Sequence, residues 1–66
     1  MIKLNSQKLR VAQARECLSI NELASKSGIS RVTISQIIND ERNPKEKTIG
    51  LLARALNIDV TELIDN

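Results

Sequence analysis

The sequence predicts an all-α fold of five short helices, because several features indicate helices and none indicates a strand. A helix-start pattern, in which a capping residue stands between two apolar residues, occurs three times. Gly28 and Pro44 divide the chain into short segments. Strands are not expected, since no run of four or more residues alternates apolar and polar side chains with β-branched enrichment.

The first helix is predicted at residues 5–16 and the second at residues 20–27. The start pattern is complete at Leu18–Leu23, which precedes the second helix. Here Ser19 caps the helix and Glu22 returns a hydrogen bond to the capping residue. This segment is therefore predicted to begin a helix from local interactions alone.

The remaining helices are predicted at residues 31–39, 45–56 and 60–65, with Ser30 and Asp59 as the caps of the third and the fifth. Apolar side chains that recur at helical spacing mark the buried face of each helix. The side chains predicted to face the core are Leu9, Ala12, Leu23, Ala24, Ile34, Ile37, Ile38, Ile49, Leu52, Ala53 and Leu56.

The composition bounds the function. The 66 residues predict a single domain, residues 1–66, with no room for an elaborate enclosed active site. The chain has no His, no aromatic residue and one cysteine, Cys17, which argues against an enzyme, a metal site, a cofactor or a disulfide. No stretch approaches the roughly 20 apolar residues of a membrane span, and the first residues lack a signal-peptide core. The expected protein is cytoplasmic, with its thiol reduced.

Charge is distributed unevenly along the chain. The net charge is +2, but residues 1–56 carry ten basic and five acidic groups, a net +5. The segment 57–66 contains acidic residues and no basic one. The body of the domain is therefore suited to face a polyanion, although an ordinary solvated surface explains the charge equally well.

The predicted second and third helices are separated only by Ser27–Ser30, in which Gly28 can adopt the positive φ that ends a helix. Two helices joined at a large angle by such a short turn form a helix-turn-helix, whose second helix can enter the major groove of DNA.

Mostly polar side chains cover the exposed face of the predicted helix 31–39, which is the second helix of the helix-turn-helix. Arg31 can donate two hydrogen bonds to guanine, Gln36 can pair with adenine, and Val32 can contact a thymine methyl group. Thr33 and Ser35 can reach a base edge or a phosphate. Each of these residues taken singly is also an ordinary solvating residue.

The chain resembles the helix-turn-helix core of the Cro/cI-type family of phage and plasmid repressors, the xenobiotic-response-element family, in the segment LSINELASKSGISRVTISQIINDERNP. The resemblance implies a phage-repressor-like DNA-binding domain, with Arg31, Val32, Thr33 and Gln36 at the base-contacting positions. The resemblance also implies DNA backbone contacts at Ser19, Asn21, Arg42 and Asn43. Ser30 and Asn39, the polar residues at the two ends of the reading helix, are expected to contact the DNA backbone as well.

The sequence departs from the family pattern at several positions. Ile20 stands where a Gln often contacts the backbone, and Gln13 and Ile38 replace an inter-helix Arg–Glu ion pair. Cys17 stands where Gly commonly closes the first helix, and Lys45 where Ser or Thr commonly caps the fourth. We expect looser helix ends at both places.

Three classes of function remain open. The first is a transcriptional regulator, most simply a repressor that covers a promoter. The second keeps the DNA-binding fold and adds a protein partner, as in the antitoxin of a toxin pair. The third, a small enzyme or an RNA binder, is poorly supported because acid–base groups and base-stacking aromatic residues are missing.

A homodimer is expected, because one small domain presents a single reading helix and specific sites usually combine two half-sites about 34 Å apart. The double-stranded DNA target would then be a palindrome. The dimer surface is predicted around Ile58, Val60 and Ile64 in the acidic C-terminal segment, with Leu51 as a second candidate.

Overall fold

A computed structural model describes residues 3–65 of the protein. Residues 3–65 form four α-helices, one 3-10 turn and one pair of short strands. The elements are β1 (Lys3–Leu4), α1 (Ser6–Arg15), α2 (Ile20–Ser27), α3 (Arg31–Ile38), α4 (Glu46–Ala55), the 3-10 turn (Val60–Glu62) and β2 (Ile64–Asp65). The predicted domain, residues 1–66, also includes Met1, Ile2 and Asn66, which lie outside the described residues.

The first four predicted helices are confirmed to within one residue at each end, and side-chain caps explain three of their starts. The predicted capping box is present: Ser19 Oγ accepts a hydrogen bond from the Glu22 amide at 3.1 Å, and Glu22 Oε1 accepts one from the Ser19 amide at 2.9 Å. Ser30 Oγ accepts from the Thr33 amide at 3.2 Å at the start of α3. Asn5 caps α1 in the same way. These bonds satisfy backbone donors that a helix start leaves without a partner.

The helix ends at Cys17 and Lys45 differ from the caps common in the family. Gly28 ends α2 with a φ of 75°, but Cys17 adopts a φ of 57° after α1. A left-handed conformation costs a residue with a Cβ roughly 1 kcal/mol. The cap of α4 is Lys45, which makes no side-chain capping hydrogen bond within the described residues.

One buried cluster forms the core, with contributions from every helix. Of the side chains predicted to face inward, all are buried except Ala24 and Ile38, which are partly exposed and pack against the cluster. Leu4, Leu63 and Ile64 complete the core from the two ends of the chain. Residues near both ends of the described segment 3–65 therefore contribute to the hydrophobic core.

The predicted fifth helix, residues 60–65, is wrong, and so is the expectation of no strands. The 3-10 turn is followed by β2, which runs antiparallel to β1 with Leu4 opposite Ile64. The Asn5 amide also donates a hydrogen bond to the Leu63 carbonyl at 2.8 Å. These partners from the other end of the chain satisfy the terminal backbone, whereas so short a helix is marginal by itself.

Candidate nucleic-acid interface

The turn between α2 and α3 has the geometry of a helix-turn-helix. The Gly28 amide donates to the Ala24 carbonyl at 2.9 Å, and the Ile29 amide donates to Ser27 Oγ at 3.2 Å. The Ser27 side chain is buried, so this hydrogen bond stabilises the turn from its buried side. Helices α2 and α3 pack directly on each other, and the predicted helix-turn-helix is confirmed.

An open cleft, here called the α2–α3 cleft, lies between the first turn of α2 and the outer face of α3. Four of the five predicted base-contacting residues, Arg31, Val32, Ser35 and Gln36, lie in it together. Val32 is 64% exposed, whereas Ser35 and Gln36 are only partly exposed. The full lining is Ser19, Ile20, Asn21, Arg31, Val32, Ser35, Gln36 and Glu41.

Arg31 is linked across this cleft to α2. Its Nη1 donates a hydrogen bond to Asn21 Oδ1 at 3.3 Å, and both side chains are exposed. Arg31 is the first residue of α3 and Asn21 lies in the first turn of α2. The hydrogen bond therefore joins the starts of the two helices.

Thr33, the fifth predicted base-contacting residue, lies in a different place. It lines a second cleft, here called the α3–α4 cleft, and its Oγ1 accepts a hydrogen bond from Ser30 Oγ at 2.8 Å. Arg42 and Asn43, both predicted backbone contacts, line the same cleft. Asn39 caps the far end of α3 and is exposed. The structure thus separates Thr33 from the other four residues and groups it with two backbone candidates.

The ion pairs of the described residues lie away from the α2–α3 cleft. Within residues 3–65, the two salt bridges join α1 to the C-terminal segment: Lys8 to Asp65 at 3.7 Å and Arg15 to Glu62 at 3.4 Å. Glu62 and Asp65 thus pair with basic groups of α1 and not with Arg31 of the α2–α3 cleft. The basic charge beside α3 remains available to an anionic partner.

A family model described as helix-turn-helix matches residues 11–63 of the chain. The chain belongs to the Cro/cI-type helix-turn-helix family. The match covers all of α2, α3 and α4, so both clefts of this helix-turn-helix protein lie within it.

Two solved structures and one curated relative are similar to this helix-turn-helix protein. The restriction-modification controller protein C.AhdI from Aeromonas hydrophila is 33% identical, with a TM-score of 0.83 over 86% of each chain. The N-terminal DNA binding domain of SinR from Bacillus subtilis matches with a TM-score of 0.85 over 92% of this chain and 90% of its own, at 24% identity, and shows the fold alone. The HTH-type transcriptional repressor RghR of Bacillus subtilis (strain 168) is 43% identical over 53 residues, which are 79% of this chain and 39% of RghR. The chain therefore spans less than half of the length of RghR.

The predicted dimer residues of this helix-turn-helix protein differ in exposure. Val60 is 37% exposed, and Ile58 and Leu51 are partly exposed. Ile64 is only 6% exposed, because its side chain joins the core opposite Leu4. Among the predicted dimer residues, Ile64 therefore offers the least accessible surface.

The sequence did not predict that Glu41 and Lys3 lie beside the clefts. Asp40 takes a φ of 60° after α3, and the Glu41 amide donates to the Gln36 carbonyl at 2.8 Å. This turn brings Glu41 into the α2–α3 cleft. Lys3 lies in a groove with Arg42, and only the folded chain brings these two residues together. For Glu41, the available signal was the need for a sharp turn between α3 and Pro44.

Residues 3–65 contain no group of three or more His, Cys, Asp or Glu side chains placed to hold a metal ion. No helix in this part of the chain has both the length and the apolar content needed to cross a membrane.

Proposed function

We propose that this helix-turn-helix protein is a sequence-specific double-stranded DNA-binding transcriptional regulator, most simply a repressor, that inserts α3 into the major groove. The observation that carries the proposal is the α2–α3 cleft, in which four polar or exposed residues of α3 lie beside the start of α2. The similarity to RghR, which is named as a transcriptional repressor, supports the same function.

The base contacts are assigned by side-chain chemistry. Arg31 donates two hydrogen bonds to guanine, Gln36 pairs with adenine, and Val32 packs on a thymine methyl group. Ser35 reaches a base edge from the same cleft. Thr33 approaches the DNA from the α3–α4 cleft, where its hydroxyl already holds Ser30.

The backbone contacts lie on both sides of the reading helix. Ser19 and Asn21 stand at the start of α2, where unpaired backbone N–H groups favour phosphate oxygens. Arg42 and Asn43 stand on the other side, in the α3–α4 cleft. Ser30 and Asn39, at the two ends of α3, complete the set. This arrangement lets α3 enter the major groove while residues on both sides of α3 bind the DNA backbone.

The active species is proposed to be a two-fold dimer on a palindromic operator, because a single α3 reads only one half-site. Val60 and Ile58 of the C-terminal segment are the proposed contact residues, with Leu51 as the alternative. The segment suits this role because its acidic side chains, of which Glu62 and Asp65 pair with α1, are unsuited to face phosphate. Adjacent half-sites would raise the effective concentration of one subunit for the other.

The test is selection of bound duplexes from a random-sequence pool with the parent protein and with Arg31→Ala. The parent is expected to recover one motif with two inverted half-sites. Arg31→Ala is expected to lose about 1 to 3 kcal/mol of discrimination at a single base pair of each half-site. Folding is expected to survive, because Arg31 is exposed.

Arg42→Ala is the matched control, because it removes an arginine assigned to phosphate. It should lower the affinity for selected and random duplexes together and reduce the log–log salt slope by about 0.9. If Arg31→Ala leaves the base preference unchanged, or if the pool yields no motif, sequence-specific reading by α3 is refuted. A motif without a palindrome would refute the dimer.

A further inference from the structure

The hydrogen bond between Asn21 and Arg31 suggests a role for Asn21 that sequence reasoning did not assign. The two residues are ten positions apart and belong to different helices, yet Arg31 Nη1 lies 3.3 Å from Asn21 Oδ1. Both side chains line the α2–α3 cleft together with the other candidate reading residues. The bond therefore lies in the surface that the proposed function places against base edges.

An arginine at this position needs a partner to be held in one conformation. The side chain has about 2 kcal/mol of rotamer entropy to lose, and the partial positive charge at a helix start does not attract it. Arg31 is the first residue of α3, so both factors apply. A fixed acceptor beside it reduces the ordering that DNA binding would otherwise require.

Asn21 is well placed to be that acceptor. The capping box of Ser19 and Glu22 fixes the first turn of α2, and Asn21 lies inside this turn. Its carbonyl oxygen engages one N–H group of a guanidinium that carries five, so donors remain for a base. Because an amide carries no charge, this contact holds Arg31 without neutralising it.

The geometry points to Asn21 as a positioning residue, which holds Arg31 through Oδ1 and thereby sets the base preference at the Arg31 position. This inference rests on the proposed function, since it requires Arg31 to contact DNA. It differs from the predicted backbone contact, which would use the Nδ2 amide as a donor to phosphate. The two roles use different atoms, and substitution can therefore separate them.

The experiment measures Kd for the duplex selected with the parent protein, for its single-base-pair variants and for a random duplex. Asn21→Ala removes both the acceptor and the donor, whereas Asn21→Asp keeps carboxylate acceptors and removes the donor. Ser25→Ala is the matched control, because Ser25 is an exposed polar residue of the same helix. Thermal melting of each variant verifies the fold.

Asn21→Ala is expected to reduce discrimination about threefold to tenfold at the base pair that Arg31 reads and nowhere else, the value of one ordinary hydrogen bond. Asn21→Asp keeps an acceptor for Arg31 and should retain more of this discrimination than Asn21→Ala, while its charge partly neutralises the guanidinium and weakens the binding of every duplex. In an Arg31→Ala background, Asn21→Ala should cause no further loss of discrimination, because the side chain it positions is gone.

An equal loss of affinity for selected and random duplexes in Asn21→Ala, with the base preference intact, would overturn the inference and leave Asn21 as a phosphate contact. The proposed function would stand in that case, provided that Arg31→Ala still relaxes the preference at its base pair. If Arg31→Ala changed no preference at all, the proposed reading by α3 and the positioning role would both fail.

Discussion

Two segments of this protein share one sequence pattern and fold differently. Ser19 and Asp59 each follow an apolar residue, and each is followed three positions later by a glutamate and then by a leucine. After Ser19 the chain forms the eight-residue helix α2, whereas after Asp59 it forms a three-residue 3-10 turn. The shared pattern therefore predicts where each helical segment begins but not how long it is.

The two glutamates show where the segments diverge. Glu22 accepts a hydrogen bond from the Ser19 backbone at 2.9 Å and closes the capping box. Glu62 instead accepts from Arg15 Nη1 at 3.4 Å, far away in the sequence. The Asp59 carboxylate caps by itself, through the amide and the hydroxyl of Thr61. The helix-turn-helix segment is thus stabilised by local bonds, and the C-terminal segment by tertiary ones.

The largest expected effect lies in the C-terminal segment. Leu63→Ala should lower the free energy of unfolding by about 2 to 5 kcal/mol, because Leu63 is fully buried and truncation leaves a cavity. Val60→Ala, in the same segment but exposed, is the control and should cost no more than about 0.5 kcal/mol. Urea unfolding measures both. Similar small losses in the two variants would show that the core does not hold this segment.

An intermediate effect is expected at the start of α2. Ser19→Ala should cost about 1 kcal/mol, since it leaves the Glu22 amide without its capping acceptor. Ser25→Ala in the middle of the same helix should cost nothing or stabilise slightly, because alanine is the better helix former. Urea unfolding curves of the two variants provide the comparison. Equal stability would mean that tertiary packing, and not the local box, starts α2.

The smallest expected effect is an acid sensitivity that the two segments share. The Ser19 backbone hydrogen bond, followed by the Ser19 side chain, lowers the pKa of Glu22 below its ordinary value of 4.5. Hydrogen bonds from the Thr61 backbone and side chain lower the pKa of Asp59 below 3.8. The stability that these carboxylates add is present at neutral pH and is lost as the pH falls from those ordinary values through the lower folded-state pKa.

Variants that cannot titrate would measure this contribution. Glu22→Gln and Asp59→Asn keep an acceptor oxygen and should each reduce the change in unfolding free energy between about pH 7 and about pH 3. The reduction should be small, because both groups are fully exposed and solvent screens them. An unchanged pH dependence in both variants would contradict the assigned causes of the lowered pKa values.

Sequence patterns predicted most of the candidate site, because its residues lie close together in the chain. The turn through Gly28 and the exposed start of α3 follow from helix periodicity and capping, so the positions of Arg31, Val32 and Gln36 on one face could be predicted. The grouping of Thr33 with Arg42 could not, since it depends on how the loop between α3 and α4 folds back against α3. Glu41 was missed because its place in the cleft depends on the left-handed turn at Asp40.

The sequence by itself determined where helices begin, since a capping residue and the amide that it accepts are only two or three positions apart. Tertiary structure decided the conformation of residues 60–65. Asn5 Nδ2 donates a hydrogen bond to Asp65 Oδ1 at 2.9 Å, although the two residues are 60 positions apart, and Ile64 is buried opposite Leu4. No local pattern at residues 60–65 carries that information, because the strand that pairs with this segment comes from the other end of the chain.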